Sequence, residues 1–510
     1  MKIKRKQSLE EFDQVEDGAS NNQKSYDVVI VGNGPSAIIL SHFLSGYWPY
    51  YNGQSINHPV LEERLKCCSQ KKSLIFEDLE WLSDGLYDSR TVNPVSILFD
   101  HLLHPNADLL ARDDTAITWR YHPEKAISHI VLGLGPAGGS WHRMANTQLT
   151  VSLSHWLELP GMTFSSWLKR NEKEVTNIPN LTRVPGVHHA RTNATYLGMY
   201  YSDYVEEMDL SQNFLNNVYV ESIVKVDDEN AFRYKLEGVQ YTGGGNTDPV
   251  GFTARNVVLA CGANSKPRML GIPGESNPFV THSLPDPEML HKCCPVVVVG
   301  CGLTALDAVL ALINREIPVV HVFRRDAKDQ QLIVNQLSSA YADYIQLKPY
   351  MIGRQVHKFY TPYPKHNLVE ILSNKQVVIE HVSKNNPITL TVSKVIVQIG
   401  SVPDLSIVEG FDDLLEEPDR DFSIKENPIE VNMYTHESMR YPGLYALGPL
   451  VGDNFVRFIS GGALAITHGL FSSDSFPSSG AATAKDIPLA TRKKSYDSSL
   501  VPYKNPGKSF

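Results

Sequence analysis

The chain has 510 residues, of which 42% are hydrophobic and 20% charged, enough to bury the cores of about three domains. Its net charge of −9 argues against a general nucleic-acid-binding surface, so we expect no nucleic-acid partner. The six cysteines show no Cys-x-x-Cys spacing, which disfavours both a secreted disulphide framework and a dithiol redox enzyme and favours a reducing compartment. They are Cys67, Cys68, Cys261, Cys293, Cys294 and Cys301.

A glycine-rich turn follows the first β-branched apolar run, after residues 1–24, which we predict to be a disordered tail. The run Tyr26 to Val31 leads into Gly32-Asn33-Gly34-Pro35-Ser36-Ala37 and then a helix-like stretch. Gly32 permits a tight strand-to-helix turn, Gly34 leaves room for a pyrophosphate beside the backbone, and Ala37 lets the helix pack closely. Phosphates bind well at a helix N-terminus, so the turn predicts a dinucleotide site.

The next strand candidate comes only at Ser128 to Leu134, much later than a dinucleotide-binding unit normally requires. Residues of about 48–128 are therefore predicted to be an insertion that covers the cofactor or docks a protein partner. After the strand, Gly139 would let the backbone approach a ligand and Trp141 would supply a flat aromatic face. The alternative is an ordinary glycine turn with a core tryptophan.

The middle of the chain reads as a helix and then a β region. "YLGMYYSDYVEEMDL" has a helical pattern, and strands are predicted at 218–226 and 232–241, with a polar hairpin at Gly243 to Asn246. Val257 to Ala260 is a buried strand that ends the first part of this domain.

A second glycine-rich turn, with Gly300 and Gly302, follows the valine run that begins at Pro295. The stretch from Pro295 to Ile313 is long enough to span a bilayer. However, strand, turn and helix explain it better, and we predict no transmembrane segment. The next strand ends at Arg324, where an arginine accommodates the 2′-phosphate of NADP and an acid would select NAD. Two such turns predict a flavin and the nicotinamide dinucleotide that reduces it, here FAD and NADPH.

The last predicted segment, Gly443 to Ile466, returns to the first domain. Asp453 would hydrogen-bond the ribityl chain of the flavin, and a helix would begin at Gly461-Gly462. The predicted fold is α/β, with two dinucleotide-binding Rossmann-like domains, the NADPH domain being inserted into a discontinuous FAD domain. The FAD domain comprises 25–290 and a return segment, 403–471; the NADPH domain is 291–402, and 472–510 is a disordered tail.

Six segments together resemble the oxidative stress-induced growth inhibitor family over about residues 26–470. They are "VVIVGNGPSA", "LSGYWPY", "GGSWH", "VVVVGCGLTALDAVL", "IPVVHVFRR" and "LYALGPLVGDNFVRFISGGALA". That family is similar to flavin-containing and N-hydroxylating monooxygenases. The resemblance implies FAD, NADPH and a regulatory role in growth, cell death or cytokinesis, in the cytoplasm, at the midbody or in association with mitochondria.

By the same resemblance, Gly32, Gly34, Ala37, Gly139, Trp141 and Asp453 would contact FAD, and Gly300, Gly302 and Arg324 would contact NADPH. Two departures stand out. Leu132-Gly133-Leu134 lacks the acidic residue that usually binds the FAD ribose, and Cys261 stands where related monooxygenases often have threonine.

The leading hypothesis is an NADPH-dependent flavin monooxygenase that transfers oxygen to an unidentified small-molecule acceptor, a soft nucleophile. The flavin supplies this chemistry, so no catalytic side chain and no metal are nominated. One alternative is an uncoupled NADPH oxidase that releases peroxide. The other is a non-catalytic regulatory protein that senses cofactor occupancy.

Overall fold

The computed structural model describes residues 24–109, 114–145, 148–173, 191–226, 232–285, 287–290, 292–337, 341–409 and 413–472. The two predicted disordered tails lie outside these residues, apart from Lys24 and Ser472.

The described strands are taken in chain order. They are β1 (Lys24–Val31), β2 (Tyr47–Tyr51), β3 (Ile117–Tyr121), β4 (His129–Gly133), β5 (Leu149–Leu153), β6 (Arg191–Asn193), β7 (Phe214–Asn216), β8 (Val218–Lys225), β9 (Tyr234–Gly243), β10 (Asn246–Leu259), β11 (Lys266–Pro267), β12 (Val280–Thr281), β13 (Val296–Val299), β14 (Val319–Phe323), β15 (Tyr360–Pro364), β16 (His366–Leu372), β17 (Gln376–His381), β18 (Lys384–Thr391), β19 (Lys394–Val397), β20 (Ser401–Val402) and β21 (Leu444–Ala446).

The described α-helices are likewise numbered along the chain. They are α1 (Pro35–Leu44), α2 (Pro59–Leu65), α3 (Leu79–Ser83), α4 (Pro94–Leu103), α5 (Phe164–Arg170), α6 (Ala194–Glu207), α7 (Leu303–Ile313), α8 (Ile333–Gln336), α9 (Ala342–Ile345), α10 (Lys348–Met351) and α11 (Val456–Ser472).

A seven-stranded mixed sheet forms the first unit. Its parallel strands lie in the order β7-β4-β1-β10-β21, and β9 and β8 continue from β10 as an antiparallel meander. The predicted return of the chain to a strand beside β1 is confirmed, since Val28 pairs with His129 after the whole insertion. The helix and β region predicted in the middle of the chain are also confirmed as α6 and β8 to β10.

The alternation of side chains along β1 explains why this sheet is covered on both faces. Val28 and Ile30 join a core with α1, α6, α11 and the insertion, whereas Val29 and Val31 join a core on the opposite face. Helix α11 packs against both α1 and α4, so the insertion and the return segment share one core.

A second, fully parallel sheet in the order β12-β19-β13-β14-β15 forms the second unit. Val296 and Val298 pack toward α7, whereas Val297 and Val299 pack toward the three-stranded sheet β16-β17-β18. The apolar stretch from Pro295 to Ile313 is therefore strand, turn and helix, as predicted. None of the helices in the described ranges combines the length and apolar character needed to cross a bilayer. The α/β fold with two Rossmann-like units is confirmed.

Candidate functional site

The first glycine turn joins β1 to α1, and its two glycines differ in what they require. Gly32 has a φ of 109°, and a Cβ there would lie 2.4 Å from the carbonyl oxygen of Ala260. Gly34 has a φ of −73°, which any residue adopts, and a Cβ there would meet no atom of the described residues within 4 Å. Gly32 is thus required by the protein itself, whereas Gly34 leaves open space at the N-terminus of α1. Ala37 is fully buried under this turn.

The second turn, between β13 and α7, repeats the arrangement. Gly300 has a φ of 120°, and a Cβ there would lie 2.1 Å from the carbonyl oxygen of Gln398. Gly302 has a φ of −76° and open space around its missing Cβ. Neither α1 nor α7 has a side-chain cap at its N-terminus. Both helix ends therefore offer free N–H groups beside open space, which suits the pyrophosphate of a dinucleotide.

The Gly138-Gly139 turn lies directly against the first glycine turn. Gly138 N–H donates to the Asn33 carbonyl oxygen at 2.8 Å, and a Cβ on Gly139 would lie 3.1 Å from the Gly34 Cα. Trp141 is partly buried, with its ring centroid 6.1 Å from that of Tyr201. The structure thus brings Gly139 to the start of α1, next to the open space at Gly34.

Asn33 is a site residue that the sequence reasoning missed. Its side chain is buried and its Nδ2 donates to the Gly135 carbonyl oxygen at 2.6 Å and to Asn216 Oδ1 at 3.1 Å. A Cβ on Gly133 would lie 2.0 Å from the Asn33 Cγ. The amide therefore fills the end of β4, where an acidic ribose ligand was expected and is missing, and Gly133 was the signal that could have revealed it.

The position of Asp453 corrects its predicted contact with a flavin. The side chain is fully buried, and its two carboxylate oxygens accept hydrogen bonds from Thr91 Oγ1 at 2.5 Å and Ser96 Oγ at 2.7 Å. Burial raises the pKa of this carboxyl to about 6, although the hydrogen bonds lower it. Because both oxygens are bonded to the insertion, Asp453 ties the return segment to the insertion and has no open face toward a ligand.

The helix predicted to begin at Gly461-Gly462 begins earlier, at Val456, so this prediction was wrong. The two glycines lie inside α11. A Cβ on Gly461 would lie 2.4 Å from the Ser96 Cα, and one on Gly462 would lie 2.5 Å from Leu447 Cδ1. They let α11 pack closely against α4 and against Leu447, and they do not open a cofactor site.

The two arginines after β14 have different surroundings. Arg325 is bonded to Asp329 at 2.9 Å and to Gln331 at 2.5 Å. Arg324 is exposed and makes no hydrogen bond or ion pair with any residue that the structure describes. Arg324 is therefore the one of the two that is available to an anion at the end of this strand.

All six cysteines are free thiols, and only Cys261 adjoins the first glycine turn. Burial raises the pKa of the Cys261 thiol to about 11, which keeps it protonated at neutral pH. Within the described ranges, no group of histidine, cysteine or acidic residues is arranged to hold a metal ion.

Comparisons with known proteins agree with this architecture. The family described as pyridine nucleotide-disulphide oxidoreductase matches residues 145–448. Human oxidative stress-induced growth inhibitor 2 is 36% identical over 483 residues, covering 87% of this chain and 92% of that protein. The chain belongs to the oxidative stress-induced growth inhibitor family. The predicted resemblance is thereby confirmed.

Solved structures share the fold at low sequence identity. Bacillithiol disulfide reductase from Staphylococcus aureus aligns with a TM-score of 0.56 and 14% identity, over 88% of this chain and 99% of that one. Ornithine hydroxylase from Pseudomonas aeruginosa aligns with a TM-score of 0.52 and 13% identity, over 88% and 99%. This chain thus shares the fold of these two enzymes, and the family match at residues 145–448 implies binding of a flavin and a nicotinamide dinucleotide.

Proposed function

We propose that this growth inhibitor homologue is an NADPH-dependent flavin monooxygenase. The observation that carries the proposal is the pair of open spaces at Gly34 and Gly302, each beside an uncapped helix N-terminus. FAD, when bound, accepts two electrons from NADPH and uses them to activate dioxygen, which supplies the oxygenation chemistry.

The chain's own residues bind and orient the two cofactors. The first N–H groups of α1 and the space at Gly34 would hold the FAD pyrophosphate, with Gly32 and Ala37 shaping the turn. Gly139 would let the chain pass close to the cofactor there, and Trp141 would lie near the flavin. At the second turn, Gly300 and Gly302 would admit the NADPH pyrophosphate.

Arg324 would select NADPH over NADH. It is exposed and without a bonded partner in the described chain, while Arg325 is held by Asp329. A guanidinium binds a phosphate through charge-assisted hydrogen bonds, which a 2′-hydroxyl cannot match.

The absorption spectrum of the purified protein, before and after anaerobic NADPH, tests the proposal. We expect flavin bands that bleach with NADPH and return in air, with oxygen transfer to an amine or sulfide acceptor. Gly302→Glu is the matched control: it should keep its flavin bands and bleach with dithionite but not with NADPH. A colourless protein that FAD cannot reconstitute would contradict the proposal and favour a non-catalytic regulatory protein. Oxygen consumption that yields only peroxide would favour the uncoupled oxidase.

A role in restraining cell growth is the second part of the proposal. Its support is the human relative named oxidative stress-induced growth inhibitor 2, which is 36% identical over most of both chains. Expression of the wild-type chain and of Gly302→Glu at matched levels in cultured cells would test it. Equal inhibition by both would mean that any growth effect does not depend on NADPH.

A further inference from the structure

An ion pair between a buried arginine and an aspartate whose side chain is 33% exposed joins the first unit to the second. Arg191 of β6 donates from Nη1 to both carboxylate oxygens of Asp343 in α9, at 2.7 and 2.8 Å. The Arg191 side chain is only 8% exposed. Its guanidinium lies 5.1 Å from the ring centroid of Tyr341 and 4.9 Å from that of Tyr344. The guanidinium is enclosed by these rings and bonded to both carboxylate oxygens, so it is held in one geometry, unlike an arginine in a solvated surface pair.

Further hydrogen bonds fix the guanidinium from both sides. Arg191 Nε donates to the Thr150 carbonyl oxygen at 2.5 Å, and Nη2 donates to the Tyr344 hydroxyl at 3.1 Å. The Tyr341 hydroxyl donates to the Val151 carbonyl oxygen at 3.0 Å. Burial lowers the pKa of Arg191, but the interactions with Asp343 and Tyr344 together outweigh burial and raise the pKa overall, so the group stays charged. Strands β5 and β6 are thus bonded to the second unit at several points.

From Tyr344 the contacts run toward the second glycine turn. The Tyr344 hydroxyl donates to Asp307 Oδ1 at 2.8 Å. Asp307 lies in the second turn of α7, the helix that starts immediately after Gly302. The other carboxylate oxygen, Oδ2, is buried and has no hydrogen-bond partner among the residues that the structure describes. The Tyr344 hydroxyl, which accepts a hydrogen bond from Arg191, therefore donates one directly to α7, the helix that would carry the NADPH pyrophosphate.

In the other direction the contacts run toward the first glycine turn. Strand β6 leads directly into α6, and Asn193 caps that helix through a 2.8 Å bond from Thr195 N–H. Within α6, the Gly198 carbonyl oxygen would lie 3.2 Å from a Cβ on Gly138. The Gly138-Gly139 turn in turn packs on Gly34. One continuous run of contacts therefore links the two glycine turns, and Arg191 is its crossing point between the units.

We propose that Arg191 is a positioning residue that fixes the second glycine turn relative to the first. The inference rests on the proposed function, because the two turns would carry the two cofactors. Electron transfer as hydride requires reacting atoms about 3–3.5 Å apart, and a shift of about 1 Å can cost a hundredfold in rate. Arg191 would act on the reaction through this geometry and would touch neither cofactor.

The kinetic test compares variants in the full chain. Arg191→Ala should slow flavin reduction by NADPH at least tenfold in anaerobic stopped flow, while the flavin content and the NADPH Kd change less than threefold. Asp343→Asn, which keeps the side-chain size, should likewise slow flavin reduction while the flavin content and the NADPH Kd change little. The double variant should reduce its flavin no more slowly than Arg191→Ala does. Arg191→Lys should recover part of the rate, because it restores the charge but not the fork of hydrogen bonds.

Arg170→Ala is the matched control. Arg170 is also bonded to both carboxylate oxygens of one acid, Glu207, at 2.6 and 2.8 Å, but that pair is exposed and lies wholly within the first unit. Arg170→Ala removes the same charge as Arg191→Ala and should leave the rate of flavin reduction unchanged. An equal loss of rate in Arg170→Ala would overturn the assignment to Arg191.

Hydrogen exchange of the cofactor-free protein gives a readout that needs no flavin chemistry. Arg191→Ala and Asp343→Asn should speed exchange at residues 191–193 and 342–345, and Arg170→Ala should not. Unchanged exchange there, or faster exchange with an unchanged reduction rate, would overturn the positioning role. If NADPH does not reduce the flavin of the wild-type protein, the proposed function is overturned, and the role of Arg191 falls with it. This outcome is distinct from the first two, because the exchange data could still show that the two units are hydrogen-bonded through Arg191.

Discussion

The two glycines of the second turn allow fold and ligand binding to be tested separately. Gly302→Ala adds a methyl group to open space at a backbone conformation that alanine adopts readily. The free energy of unfolding should fall by less than about 1 kcal/mol, the size of a helix N-cap change. Gly300→Ala places the methyl 2.1 Å from the Gln398 carbonyl oxygen at a φ of 120°. Backbone strain alone costs roughly 1–3 kcal/mol there, and the overlap with the Gln398 backbone, directly after β19, adds to it.

The variant that changes stability little, Gly302→Ala, should be the one that loses NADPH affinity. In Gly302→Ala the methyl group would stand where the NADPH pyrophosphate approaches α7. We expect at least a tenfold loss of NADPH affinity, about 1.4 kcal/mol, in a protein that unfolds almost as the wild type does. Titration calorimetry gives the Kd, and urea unfolding gives the stability.

Two results would refute this reasoning. One is a Gly302→Ala protein that binds NADPH as tightly as the wild type, since the open space would then not be a phosphate site. The other is a loss of stability in Gly302→Ala as large as in Gly300→Ala, since the space would then not be open. Gly34→Ala offers the same test for flavin content at the first turn.

Three further predictions concern single side chains. Arg324→Ala should weaken NADPH binding by about 1.5–3 kcal/mol and leave NADH binding nearly unchanged in parallel titrations; equal losses would show that Arg324 does not contact the 2′-phosphate. The stability of Asp453→Asn relative to the wild type should increase by up to about 3 kcal/mol from pH 4 to pH 8, because a folded-state pKa raised from 3.8 to about 6 makes ionisation of Asp453 costly only in the folded state. Urea unfolding of both proteins at pH 4 and pH 8 checks this, and a difference that does not grow with pH would contradict it. Gly461→Ala should cost about 1–3 kcal/mol in thermal unfolding, because its methyl would overlap the Ser96 backbone; an unchanged melting temperature would mean that α4 and α11 can separate freely.

The strands and turns of both units could be predicted because their signals are local. A valine run followed by glycines at fixed spacing identifies β13 and its turn without any knowledge of distant residues. The same holds for β1 and for the delayed strand β4, whose apolar pattern is recognisable although a long insertion precedes it.

The missed features depend on residues far apart in the chain. Asp453 looks like a loop acid near a glycine, and only the fold shows that Thr91, 362 residues earlier, bonds to it. Arg191 lies 152 residues before Asp343, and no local pattern announces the pair. The contact of Asn33 with β4 was easier to predict, because a glycine at the end of a strand, Gly133, indicates that a neighbouring group occupies the space of its missing side chain.

The insertion and the return segment share one core, and this has a consequence while the chain is being synthesised on the ribosome. Arg457 bonds to Asp100 in the insertion across 357 residues, and both side chains are buried. At about 5–20 residues per second, Arg457 emerges roughly 20–70 s after Asp100. Throughout that interval the Asp100 carboxylate has His104 beside it at 3.1 Å but lacks Arg457, so the core of the nascent first unit stays unfinished. A chain that ends before Arg457 would lack this contact permanently.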